Sequence, residues 1–130
     1  MISFAHTIIC SNDLAKSKQF YCEALGMAVS VDYGLCFTLT GDAIMIHDAK
    51  AFSQNIFKKL KRQYQKKPGK GNLNLYFETD QLQDLYDSVK QRGYTLIHGI
   101  QMQPWNQKVF RVYDPDGHIV EIGEPLWVKP

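Results

Sequence analysis

Residues Tyr113-Asp114-Pro115-Asp116-Gly117-His118-Ile119-Val120-Glu121 hold a turn between two apolar strands. Pro and Gly supply the dihedrals a tight reversal needs. The alternation on either side predicts strands over about 108–113 and 118–123. Working back from this hairpin, another strand is expected over about 94–101. Before it, Leu82, Leu85 and Val89 share one face of a helix that Asp80 would cap and Arg92-Gly93 would close. The segment Asn72-Leu73-Asn74-Leu75-Tyr76-Phe77-Glu78 alternates as the opening strand. Leu73, Leu75 and Phe77 face the helix, while Asn72, Asn74 and Tyr76 face away.

The N-terminal part repeats this order. Phe4 to Cys10 alternates, with His6, Ile8 and Cys10 on the side away from the helix. Ser11-Asn12-Asp13 offers a cap, and Leu14, Ser17 and Tyr21 share a helix face that ends at Leu25-Gly26. Strands follow over about 28–33, 35–40 and 43–48. A shift of 68 residues places His6 on Asn74, Leu14 on Leu82, Ser17 on Leu85 and Tyr21 on Val89. The chain therefore reads as one α+β domain over residues 1–130 built from two βαβββ repeats, about 1–50 and 72–124. Helices lie on the outer faces, and the curved mixed sheets form a concave groove.

Between the repeats, at about 51–71, lies a basic stretch. It has no acidic residue between Asp48 and Glu78, yet contains Lys58, Lys59, Lys61, Arg62, Lys66, Lys67 and Lys70. Phe52, Ile56, Leu60 and Tyr64 recur every four residues, which predicts a helix over 52–67 with an apolar stripe and a solvated basic back. A net charge of +2 is too small to call for a polyanionic partner, so no nucleic acid is expected. With 45% hydrophobic and 22% charged residues, 130 residues suit a single globular domain. No apolar run approaches a membrane span. Three cysteines without C-x-x-C spacing argue against a disulfide framework, and a cytoplasmic location is expected.

The order of elements, His6, Phe20-Tyr21…Leu25-Gly26-Met27 and the Asp114-Pro115-Asp116-Gly117…Glu121 stretch resemble the vicinal oxygen chelate superfamily. That group includes glyoxalase I, fosfomycin-resistance and bleomycin-resistance proteins and extradiol dioxygenases. The resemblance implies a divalent metal (Zn, Ni, Mn or Fe) held by a His on each repeat's first strand and a Glu on the last. His6 and Glu121 take two of these positions. The third falls on Asn74, a poor ligand for a transition metal. By repeat parity Met45 and His47 face the groove, and His47 could replace the lost imidazole, giving His6, His47 and Glu121 as metal ligands with Glu121 also catalytic. The other reading of Glu121 is a buried carboxylate paired with Arg111, since an unpaired one is costly.

Asn74, Tyr76, Trp105 and Arg111 are the candidate substrate-binding residues, with Trp105 on a loop rimming the groove. Cys10 shares that face, with no base beside it in the sequence. Two functions stand. One is a metal-dependent glyoxalase-like lyase or dioxygenase acting on a small oxygen-rich substrate. The alternative is a metal-free small-molecule-binding protein of the bleomycin-resistance type. Either is expected to work as a homodimer.

Overall fold

The computed structural model describes residues 1–57 and 69–126. The chain divides into two compact units, Met1–Pro68 and Gly69–Pro130. In the first, β1 (Thr7–Ser11) leads into α1 (Leu14–Lys18), which continues as a π-helical turn (Gln19–Ala24), and β2 (Val29–Asp32), β3 (Cys36–Leu39), β4 (Ile44–Asp48) and α2 (Ala49–Phe57) follow. The second runs β5 (Asn74–Glu78), α3 (Leu82–Gln91), β6 (Leu96–Met102), β7 (Lys108–Tyr113) and β8 (Ile119–Gly123). The sheet orders are β1-β4-β3-β2 and β5-β8-β7-β6, so the same topology occurs twice. In each sheet the first and last strands pair in parallel and the others antiparallel.

The helix over the first sheet starts where Asp13 accepts a hydrogen bond from Lys16 N at 3.1 Å, which satisfies a free N–H of the first turn. It closes where the Leu25 N–H reaches the Phe20 carbonyl and Gly26 takes a φ of 74°. Phe20 and Tyr21 are wholly buried and meet edge to face at 4.9 Å, with Phe37, Leu39 and Ile46 in the same core. Ser17 is a polar residue at a buried position, and its Oγ lies 2.7 Å from that of Ser11, so the two hydroxyls satisfy each other.

In the second unit Leu75, Val89, Phe110, Val112, Val120 and Ile122 form the core. Each such side chain is worth about 1.5–3 kcal/mol of burial. Tyr86 of α3 meets Phe110 edge-on at 5.4 Å. The Asp114-Pro115-Asp116-Gly117 turn closes as expected, with Gly117 at φ 86°.

Three expectations need correction. Asp80 does not cap α3: the N-cap is Gln81, whose N–H is taken by Thr79 Oγ at 3.0 Å. Leu14, Leu82 and Leu85, which share the helix faces turned to the sheets, are only partly buried, while Tyr21 and Val89 on the same faces have no exposure. In α2 Phe52 is half-buried while Ile56 is exposed, so the fourfold apolar stripe is not one packed face. The remainder of the basic stretch, residues 58–68, lies outside the described residues.

Candidate functional site: the uncovered face of the second sheet

Side chains alternate across a strand, so the register decides what shares a face. Tyr76 of β5 pairs with Glu121 of β8, Glu121 with Arg111 of β7, and Arg111 with His98 of β6. Four polar residues thus cross the whole sheet in one row, on the side away from α3. Asn74 lies two residues before Tyr76 on the same face.

Hydrogen bonds join this row. Arg111 Nε donates to Glu121 Oε1 at 2.9 Å, and Asn74 Nδ2 donates to the same oxygen at 3.0 Å. Arg111 NH1 donates to His98 Nε2 at 2.9 Å, while His98 Nδ1 donates to the Gly99 carbonyl at 2.7 Å. That second bond leaves Nε2 as the ring nitrogen that accepts from the guanidinium. Gln103 Oε1 lies 3.4 Å from Arg111 NH2. The Glu121 side chain is 8% exposed and that of Arg111 24%, so the ion pair is largely out of water.

A second chain of bonds holds two exposed aromatic rings. Trp105 Nε1 donates to Gln107 Oε1 at 2.6 Å, and Gln107 Nε2 donates to Tyr76 Oη at 2.8 Å and to the Glu124 carbonyl at 2.6 Å. Tyr76 Oη in turn donates to Glu78. Burial and the Glu78 carboxylate hold the Tyr76 phenol above its ordinary range. Gly123 makes room for this network: a Cβ there would stand 2.5 Å from Gln107 Nε2. An open cleft of about 850 Å³ lies at the start of α3, lined by Asp80, Leu82, Gln83, Ile100 and Lys108; it shares Glu78 and Glu124 with the network but takes in none of Asn74, Glu121, Arg111 or His98.

The candidate ligands of the first unit lie on the side of the first sheet away from α1. His6 donates through Nδ1 to the Asp42 carbonyl, and His47 through Nδ1 to the Asp48 carbonyl at 3.0 Å, with Phe52 edge-on at 5.6 Å. Register keeps the two imidazoles apart, however. His47 pairs with Cys10, four residues past His6, which is about 13 Å along the strand. The repeat also identifies the true counterpart of Glu121. Tyr76 pairs with Glu121, and 76 − 68 = 8; Ile8 pairs with Met45. Met45, a thioether, holds the equivalent place, and His47 lies two residues beyond it. His47 does supply Cys10 with the cross-strand imidazole neighbour that the linear sequence does not show. Among the other cysteines, burial raises the Cys22 and Cys36 thiols, which disfavours thiolate chemistry there.

These donors do not suit a divalent metal. Glu121 already carries a guanidinium on Oε1, and Asn74 gives an amide where imidazole is the better ligand; in the first unit a thioether, Met45, holds the place equivalent to Glu121. Among the described residues one trio, Asp114, Asp116 and His118, brings its ligand atoms within 4.8 Å of one another and could hold an ion. Its hydrogen bonds are those of a turn clasp. Asp114 Oδ1 accepts from the Asp116 and His118 N–H groups at 3.0 and 2.9 Å, and Oδ2 accepts from His118 Nδ1 at 2.9 Å.

Sequence reasoning missed His98, Gln103 and Gln107. The pairing of β6 with β7 shifts register on either side of His98, so parity alone could not place that residue. Gln107 is 1% exposed although its neighbours form a turn, and the one signal for it is the short spacing between Trp105 and β7.

Comparison with known proteins agrees with this architecture. The profile of the glyoxalase-like domain matches residues 4–127, and the chain belongs to that family, within the vicinal oxygen chelate superfamily. A protein of unknown function from Agrobacterium tumefaciens is 32% identical, with a TM-score of 0.87 over 97% of this chain and 96% of its own. A member of the glyoxalase/bleomycin resistance protein/dioxygenase superfamily from Sphaerobacter thermophilus is 21% identical, with a TM-score of 0.70 over 96% and 98%. Lactoylglutathione lyase from Agrobacterium tumefaciens is 17% identical, with a TM-score of 0.70 over 98% and 96%, and shares the fold. No curated protein matches the chain. No helix among the described residues is long and apolar enough to cross a membrane.

Proposed function

We propose that this chain is a metal-independent small-molecule-binding member of its superfamily. In this reading the uncovered face of the second sheet seats a flat organic ligand between the Asn74–Glu121–Arg111–His98 row and the rings of Tyr76 and Trp105. The observation that carries it is the Arg111–Glu121 pair. The carboxylate at the family's last ligand position is compensated by a guanidinium at 2.9 Å, so a cation there would compete with Arg111. The two rings support the same reading. Both are exposed, and Gln107 holds both in place before any ligand arrives, which lowers the ordering cost of stacking.

A homodimer belongs to the proposal, supported by the exposed Ile8 and Val31 on the uncovered face of the first sheet. Light scattering of the full chain tests it. The ligand reading is tested by quenching of Trp105 fluorescence with a panel of aromatic compounds, with and without a chelator. A saturable signal unchanged by chelator and lost in Trp105→Phe is expected. Binding that requires added metal would overturn the proposal and restore the enzyme reading.

A further inference from the structure

On the face just described, one oxygen of a largely buried carboxylate has no donor among the described residues. Both groups that reach the Glu121 carboxylate, Arg111 Nε and Asn74 Nδ2, use Oε1, and among the described residues nothing donates to Oε2. The side chain is 8% exposed. A carboxylate oxygen left this way costs free energy that a hydrogen-bond donor would recover, and bonds to an ionised acceptor are about twice as strong as neutral ones.

Charge decides which donor suits it. An anion would face the lone pairs of Oε2. A cation would face the Arg111 guanidinium, which already balances Glu121. A neutral O–H or N–H meets neither penalty. The exposed rings of Tyr76 and Trp105, tied through Gln107, add a preference for a planar partner.

Resting on the reading of this face as a metal-independent ligand site, we infer that Glu121 Oε2 is its recognition acceptor and that the ligand is an uncharged aromatic or heteroaromatic compound with an O–H or N–H on the ring. Glu121 thereby takes a role toward an organic donor in place of a metal, and Arg111, 2.9 Å from Oε1, is the positioning residue that holds the carboxylate in its orientation.

The experiment is an amide and indole NMR titration of the full chain with four probes: phenol, fluorobenzene, benzoate and benzylamine. Fluorobenzene is close to phenol in size and donates nothing. Phenol should shift the amides of Asn74, Arg111 and Glu121 and the Trp105 indole signal, and should bind at least about tenfold tighter than fluorobenzene. Benzoate and benzylamine should both be weaker than phenol. Equal binding of phenol and fluorobenzene at these signals would overturn the donor assignment while leaving the ligand face standing. Tighter binding of either charged probe would overturn the preference for a neutral ligand. If no probe shifts this face, or a chelator abolishes the shifts, the face is not a metal-independent ligand site, and this inference fails with it.

Discussion

Replacing Arg111 with Met, which keeps the aliphatic stem and removes the charge, tests the pair at the centre of the sheet. Glu121 would stay buried with a single donor, Asn74 Nδ2 at 3.0 Å. Breaking a fully buried ion pair costs about 3–5 kcal/mol. Arg111 retains 24% side-chain exposure and Asn74 remains, so the expected loss is about 2–3 kcal/mol. With a urea slope of about 2 kcal/mol/M, the unfolding midpoint should fall by about 1–1.5 M. The double variant Arg111→Met/Glu121→Gln removes the stranded charge and should recover at least half of that loss, a coupling that a double-mutant cycle reads directly. A single-variant loss below about 1 kcal/mol, or additive effects of the two substitutions, would refute the claim that Arg111 compensates Glu121.

Three further outcomes are expected. Tyr21→Ala removes a ring with no exposure and should cost about 3–5 kcal/mol in urea unfolding; a loss below about 1 kcal/mol would mean the α1 core is misassigned. Gly123→Ala places a methyl against the Gln107 amide, so it should destabilise by about 1–3 kcal/mol and shift Trp105 emission as its hydrogen bond is lost. The Tyr76 phenol titrates higher folded than unfolded, so its contribution to stability is full below pH about 10 and is lost as pH rises through the raised value. Tyr76→Phe should therefore flatten the alkaline fall in stability, which urea unfolding at several pH values follows.

Much of the fold could be read from residue order because alternation and turn residues act locally. Leu73 to Glu78 sorted into two faces from the sequence, and the sheet keeps that sorting, with Leu75 buried and Asn74 and Tyr76 opposite it. The hairpin at Asp114–Gly117 was equally legible, since Pro and Gly leave the backbone few choices. The site was less so, because it depends on which residue stands across from which. Parity put His47 on the correct face, but the ladder sets it opposite Cys10 and gives the position equivalent to Glu121 to Met45. The partner of Glu121 was one of two readings, and only the β7–β8 register distinguishes Arg111 as that partner. His98 was invisible because irregular pairing in β6 breaks the period that parity relies on.

The most direct test of metal independence is elemental analysis of the full chain purified without a metal-affinity step, alongside Glu121→Gln. The account predicts divalent metal well below one equivalent per chain, no difference between the two proteins, and no heat of binding at Glu121 when zinc, nickel or manganese is added. One equivalent of metal that survives dialysis in the parent chain and is lost in Glu121→Gln would contradict it.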